Sequence, residues 1–324
     1  MAKDITNIAI LGAGLIGAAW AAFFNSKGLS VKLYDDDRAA LENGRETATD
    51  HLGFLRKHKI ISKDGYERAV CELNLAHSIP EAVSNAELVM ESATERYEVK
   101  KRIFQEADQH ASCDCIIASS SSALLMSEIQ KVMKYPGRSL IAHPFNPAHL
   151  VPLVELVAGK HTDQKVICRT KDFFERLGKT VVIVKKEIPG YIANRLQAAV
   201  WREAIDMVIR GVGTVEDIDR ALYAGPGIRW ALMGQHLIFH LGGGKGGIEH
   251  FIEHIGEKKR QLWEDMASWT TIPDKAKKVL SKGIEQETRG KTIPEIEQWR
   301  DEKLISLLQV IYGKNGAATE GRSS

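Results

Sequence analysis

Cysteine is scarce in this chain. Four residues, Cys71, Cys113, Cys115 and Cys168, occur among 324, too few and too irregularly spaced for a disulfide framework or a four-ligand zinc site. A reducing cytoplasm suits them. Charge of one sign is lacking as well: 44 basic residues stand against 42 acidic ones, a formal charge of +2, which leaves no general electrostatic footprint for nucleic acid or an anionic membrane. Local basic runs such as Lys258-Lys259-Arg260 read as solvated helix faces. A long hydrophobic run is the third absence. The uncharged stretch from Ile8 to Phe24 contains three glycines, falls short of the ~20 apolar residues of a spanning helix, and carries no basic leader or cleavage pattern. What remains is a globular composition, 44% apolar and 27% charged, in a chain long enough that one core stops growing and two domains are expected.

The N-terminal half alternates short apolar runs with amphipathic segments, the pattern of βαβ units and a parallel sheet. The expected strands are Asn7 to Leu11, Ser30 to Tyr34, Leu88 to Ser92, Cys115 to Ala118, Ser139 to His143 and Thr180 to Val184. A helical insertion from Arg38 to Ala69 interrupts them, with Arg56-Lys57-His58-Lys59 as its helix–helix turn or solvated tip. Beyond Lys185 to Gly190 the β-rich runs stop and 3.6-period segments follow, beginning with Tyr191 to Arg210. The expected organisation is therefore α/β, a doubly wound parallel sheet over residues 1–187 followed by an all-helical domain over 188–324, with Gly313 to Ser324 as a frayed tail.

Gly12-Ala13-Gly14-Leu15-Ile16-Gly17 is a G-x-G-x-x-G string. Its setting gives it meaning: it follows one strand, opens a helix, and precedes a second strand that ends in Asp35 at the interval of a dinucleotide-binding unit. Gly12 permits the tight turn, Gly14 lets backbone amides approach a pyrophosphate, and Gly17 allows close helix–sheet packing, while the helix N-terminus attracts negative charge. Leu15 and Ile16 complete the candidate cofactor loop. The Asp35 carboxylate suits ribose hydroxyls, and Asp36 and Asp37 add repulsion against a 2′-phosphate, so NAD is expected over NADP. The later string Gly242 to Gly247 lacks phosphate-loop spacing and a Ser or Thr after Lys245; it reads as a flexible or close-packed helix connection.

His143 ends an apolar strand, and Glu155 sits inside a second apolar run, where an unpaired carboxylate is costly. Pairing the two removes that cost. The carboxylate then fixes the imidazole tautomer, leaves the other nitrogen as a base, and stabilises the imidazolium. A lone histidine here reads equally well as a satisfied core residue, so the surrounding motifs matter. GAGLIG, the acidic end of the second strand, ATERYEVKK, SSSSALL, HPFNP, VPLVE and GYIANRL occur in this order between residues 12 and 196. Together they resemble the 3-hydroxyacyl-CoA dehydrogenase family. The resemblance implies oxidation of a 3-hydroxyl with NAD and no metal, with His143 as general base and Glu155 as its orienting partner. It also implies that Ser122 bonds the substrate oxygen, that Asn194 completes the polar grip, and that Glu95, Lys100 and Ser120 lie near the nicotinamide ribose. Lys100 read alone is a surface helix lysine.

Pro144 after the histidine departs from the thioester-using members, which carry an apolar residue such as Phe there. HPFNP, with Asn146, and Gly225-Pro226-Gly227-Ile228-Arg229-Trp230-Ala231 are closer to the branch holding L-carnitine 3-dehydrogenase and lambda-crystallin, itself similar to L-gulonate 3-dehydrogenase. Arg229 can hold a free carboxylate through two parallel hydrogen bonds, and Trp230 or Trp201 can cage a trimethylammonium group. A core tryptophan and a subunit salt bridge are the plainer readings of these residues. L-carnitine ranks first as substrate, L-gulonate second and a short 3-hydroxyacyl-CoA third. The tail around Trp299 resembles lambda-crystallin, whose branch also admits a silent structural protein; retention of Ser122, His143, Glu155 and Asn194 argues for an enzyme. A homodimer through the helical half is implied by the same resemblance.

Overall fold

The computed structural model describes residues 4–313; most of the expected C-terminal tail lies outside that range. Eight strands form one sheet: β1 (Asn7–Leu11), β2 (Ser30–Tyr34), β3 (Leu73–Leu75), β4 (Leu88–Glu91), β5 (Ile116–Ser119), β6 (Ser139–Pro144), β7 (Leu153–Ala158) and β8 (Thr180–Val184). Their order is β3-β2-β1-β4-β5-β6-β7-β8. Every neighbouring pair is parallel except β6 and β7, which run antiparallel. The order reverses between β1 and β4, which makes the carboxyl ends of these strands the natural place for a ligand crevice.

The central strands read as unbroken apolar runs because both faces of the sheet are covered. Along β1, Ile8 and Ile10 enter one buried cluster and Ala9 and Leu11 the other. The first cluster contains α1 (Leu15–Ser26), whose Trp20 stacks on Phe24 at 5.1 Å and meets Phe174 at 5.5 Å. The helical insertion is two helices, α2 (Arg38–Lys57) and α3 (Lys63–Cys71), joined through the turn at His58 and Lys59. Asp37 caps α2, its Oδ1 accepting from the Ala39 amide at 2.8 Å. α4 (Ile79–Val83), α5 (Tyr97–His110), α6 (Met126–Ile129) and α7 (Gln164–Arg176) complete this half. Two strands were not among those expected. β3 is a three-residue edge strand, too short for a periodic signal, and β7 is the return leg of β6 rather than a new crossover.

The compact units divide between Asn194 and Arg195. Residues 188–194, grouped by sequence with the helical half, are tied to the first unit. Tyr191 is fully buried, its hydroxyl donates to the Leu124 carbonyl at 2.7 Å, and Asn194 Nδ2 donates to the Ser122 carbonyl at 3.0 Å. From Ala193 onward all described elements are helical: α8 (Ala193–Arg210), α9 (Val215–Leu222), a π turn at Tyr223–Gly227, α10 (Ile228–Trp230), α11 (Gln235–Gly242), α12 (Gly247–Asp265), α13 (Asp274–Thr288) and α14 (Ile293–Tyr312). The glycine string between α11 and α12 is close-packed, since a Cβ on Gly243 would stand 1.7 Å from the Gly247 carbonyl oxygen. No described helix is long and apolar enough to cross a membrane.

Candidate active site

The glycine loop follows β1. Gly12 has φ +109°, and a Cβ there would meet the Ser92 backbone at 2.6 Å; a Cβ on Gly17 would stand 1.8 Å from the Gly12 carbonyl oxygen. Gly14 is different: nothing lies within 4 Å of its absent Cβ, and no side chain caps the helix that starts beside it. The chain therefore needs Gly12 and Gly17 for its own packing, whereas at Gly14 it leaves open space before uncapped helix amides, as a pyrophosphate requires. Asp35 Oδ2 accepts from the Ala13 amide at 2.7 Å, holding the loop, and its side chain borders a cavity of about 880 Å³ together with Gly12, Gly14 and Ser92. A second cavity of about 210 Å³ is lined by Ile16, Glu95, Lys100, Ser120, Ser122, His143 and Pro144. Both include Ser92 and Ala93 in their walls. These residues are the ones that could hold NAD.

The imidazole and its carboxylate face each other across the antiparallel pair. The register sets His143 opposite Glu155, and His143 Nδ1 lies 2.9 Å from Glu155 Oε2. Both are buried, at 4% and 1% exposure. Glu155 Oε1 accepts from the amides of Ile192 and Ala193, each at 3.0 Å, so one carboxylate both orients the ring and receives the amides that open α8. Burial opposes its charge, but the bonds from His143, Ala193 and Ile192 together hold the Glu155 carboxyl below its usual range. The His143 ring packs edge-on against Phe145 and Tyr191. Tyr191 takes a left-handed backbone, φ +48°, uncommon for a bulky side chain and a mark of a segment over-determined by its surroundings.

A second network holds the serine loop, in which Ser121 and Ser122 share Glu95. Ser119 Oγ donates to Glu91 Oε2 at 2.5 Å. Ser120 Oγ accepts from Trp20 Nε1 at 3.1 Å and lies 2.9 Å from Ser92 Oγ. Ser121 Oγ donates to Glu95 Oε1 at 2.6 Å, and the same oxygen accepts from the amides of Ser122 and Ala123 at 2.9 and 3.0 Å. Lys100 ties both acids together: its Nζ donates to Glu91 at 2.8 and 3.0 Å and stands 3.3 Å from Glu95 Oε2. At 1% exposure it is no surface lysine. Burial pushes the Glu91 carboxyl up despite Lys100, whereas Glu95, also opposed by burial, is held below its usual range by Ser121, Lys100 and the two amides.

Residues 7–188 match the family described as 3-hydroxyacyl-CoA dehydrogenase, NAD binding domain, and residues 190–282 match 3-hydroxyacyl-CoA dehydrogenase, C-terminal domain. The chain belongs to the 3-hydroxyacyl-CoA dehydrogenase family. As a member it is an NAD-dependent oxidoreductase of 3-hydroxy acids. It is 36% identical over 309 residues to L-carnitine dehydrogenase of Bacillus cereus (strain ZK / E33L), covering 95% of this chain and 93% of that one. The L-carnitine dehydrogenase of Streptomyces coelicolor is 34% identical over 323 residues, 99% of each chain. Among solved structures, an NAD+-dependent dismutase, 5-formyl-3-hydroxy-2-methylpyridine 4-carboxylic acid 5-dehydrogenase, superposes with TM-score 0.81 at 27% identity, over 96% of this chain and 99% of that one. (S)-3-hydroxybutyryl-CoA dehydrogenase from Ralstonia eutropha superposes with TM-score 0.64 at 28% identity, over 69% and 78%.

Within this family member the remaining expected site residues fall in several places. Leu15 is exposed at the start of α1, and Asn146 is exposed in the β6–β7 connection. Asp36 pairs with Arg102 on α5 at 3.1 Å, while Asp37 is occupied as a helix cap. Arg229 and Trp230 lie on α10 in the helical unit, where Trp230 Nε1 donates to Gln235 Oε1. Sequence reasoning passed over Glu91 and named Ser119 and Ser121 only as members of the serine run, without individual roles. An acid closing the apolar run Leu88-Val89-Met90 was the available signal for Glu91, by the same cost argument that singled out Glu155.

Proposed function

We propose that the protein oxidises the 3-hydroxyl of L-carnitine to the 3-ketone with NAD, using His143 as general base. The observation that carries this reading is the 2.9 Å bond between His143 Nδ1 and Glu155 Oε2 in a pocket that also presents Ser122 and meets the glycine loop at Ile16. Glu155 keeps the Nδ1 proton in place, which directs the Nε2 lone pair to the substrate hydroxyl. His143 Nε2 takes the hydroxyl proton, and the Glu155 charge stabilises the resulting imidazolium. Ser122 donates to the same substrate oxygen, with its backbone held by Asn194 and Glu95. NAD, when bound, supplies the hydride acceptor.

L-carnitine is favoured because the curated relatives above carry that activity in their names at 34 to 36% identity along nearly the whole chain. Arg229 suits its free carboxylate, and the exposed faces of Trp201 and Trp230 suit its trimethylammonium group. Four free thiols suit a reducing cytoplasm. A homodimer through the helical unit is supported by apolar side chains that this unit leaves exposed, among them Trp263, Ile293 and Val310; a monomeric mass by light scattering would remove that reading.

The test follows NADH absorbance with L-carnitine, L-gulonate and 3-hydroxybutyryl-CoA, for the parent and for His143→Ala. The expected result is preference for L-carnitine and a loss of turnover of about a hundredfold to ten-thousandfold in the variant. Preference for either other substrate reassigns the specificity; near-parental turnover of His143→Ala ends the mechanism.

A further inference from the structure

Lys179, the residue before β8, is buried at 6% exposure and has no acid as a hydrogen-bond partner among the described residues. Its Nζ donates instead to two backbone carbonyls, Ala148 at 2.6 Å and Val151 at 2.9 Å. Both belong to one tight turn, in which the Pro147 carbonyl accepts from the amides of Leu150 and Val151. That turn is the middle of the connection from His143 to Glu155. On its other side the ammonium lies 4.1 Å from the centroid of Phe23 and 5.1 Å from that of Trp20, both on α1. Trp20 in turn donates to Ser120, which lines the same pocket as His143.

A buried lysine is an expensive way to hold a loop, because an apolar side chain of similar length would fill the space without desolvating a charge. What it adds is direction. Two donors from one nitrogen fix two carbonyls of the hairpin connection, and the cation–π contacts fix that nitrogen against the helix that opens at the glycine loop. We infer that Lys179 is a positioning residue for the His143–Glu155 pair, pinning the hairpin between them to the aromatic face of the dinucleotide-binding helix. The inference rests on the reading of His143 as base. Burial first, and then the Lys27 ammonium at the end of α1, pull the Lys179 amine down to about 7. Lys27 shares the Phe23 ring, at 5.7 Å. His149, on the pinned turn, stacks on His51 of α2 at 3.9 Å.

The test uses full-length Lys179→Met, with Lys179→Gln as a second variant should the first not fold. Circular dichroism checks the fold, NADH fluorescence gives cofactor affinity, steady-state kinetics separate kcat from KM, and 15N NMR reads the Nδ1 of His143. Displacing a catalytic pair by a fraction of its length costs on the order of tenfold to a hundredfold in rate. The expected result is that loss in kcat with nearly parental NADH affinity, together with a shifted or broadened His143 Nδ1 signal. A folded variant with parental kcat and an unmoved signal overturns the inference. If His143→Ala is itself active, the reading of the base fails instead; if His143→Ala is inactive while the Lys179 variants match the parent, only the role of Lys179 fails.

Discussion

Glu155 and Glu91 sit on strands of the same sheet with almost no exposure, yet their surroundings treat them oppositely. Glu155 meets an imidazole and two backbone amides; together these outweigh the cost of burial and hold its carboxyl low. Glu91 meets Lys100, a serine hydroxyl and the Ala93 amide, and burial still pushes its carboxyl up. On the proposed reading of His143 as base, Glu155 must stay charged through the proton transfer, and pre-aimed amides achieve this without adding a formal positive charge beside the ring. Glu91 instead shares a single ammonium with Glu95, so its network holds a loop in place rather than a proton ready to move.

This contrast can be broken by experiment. The largest expected effect is at Glu155: Glu155→Gln keeps the shape but loses the charge opposite Nδ1, and should lower kcat by about a hundredfold or more with little change in NADH affinity. Glu91→Gln should leave kcat far closer to the parent, and equal losses in the two variants would erase the distinction. Lys100→Met comes next. It leaves Glu91 and Glu95 facing each other without their common cation, and denaturant unfolding should report a loss of ~3–5 kcal/mol, as for other buried pairs stripped of one partner. A stability unchanged within ~0.5 kcal/mol would return Lys100 to the surface helix role its sequence position suggests.

The smallest effect is in the pH dependence of stability. Folding lowers the Glu155 pKa below its ordinary 4.5, so the unfolded chain binds more protons there; the Glu155 contribution is complete above that value and disappears as pH falls through the lower folded pKa. Folding raises the Glu91 pKa, so the folded chain binds more protons between 4.5 and its raised value, and the Glu91 contribution falls as pH rises across that interval. Urea midpoints of the two Gln variants against the parent should therefore diverge with slopes of opposite sign. Slopes of one sign would mean that the two sites are electrostatically alike.

The hairpin pair was legible because its two members lie 12 residues apart on apolar strands that pair directly, and a buried acid and a strand-end histidine each lack a reason to be there alone. The serine network was only half legible. Four consecutive serines read as one polar loop, but Ser119 and Ser120 find partners 28 residues away, and Ser121 finds Glu95 across 26. Lys100 followed the same pattern: the periodicity of α5 places it on a helix, while its burial depends on which strand ends meet that helix.

The amino-acid sequence on its own determined the glycine turn, the sheet-then-helices order, the acidic end of β2 and the pairing of His143 with Glu155, since each is written in residues close along the chain or in an alternation that repeats locally. Tertiary structure alone decided which serine serves which acid, that Lys100 is buried, and that Lys179 grips the turn between β6 and β7. These depend on burial and on donors arriving from distant segments, and neither local propensity nor spacing along the chain carries that information.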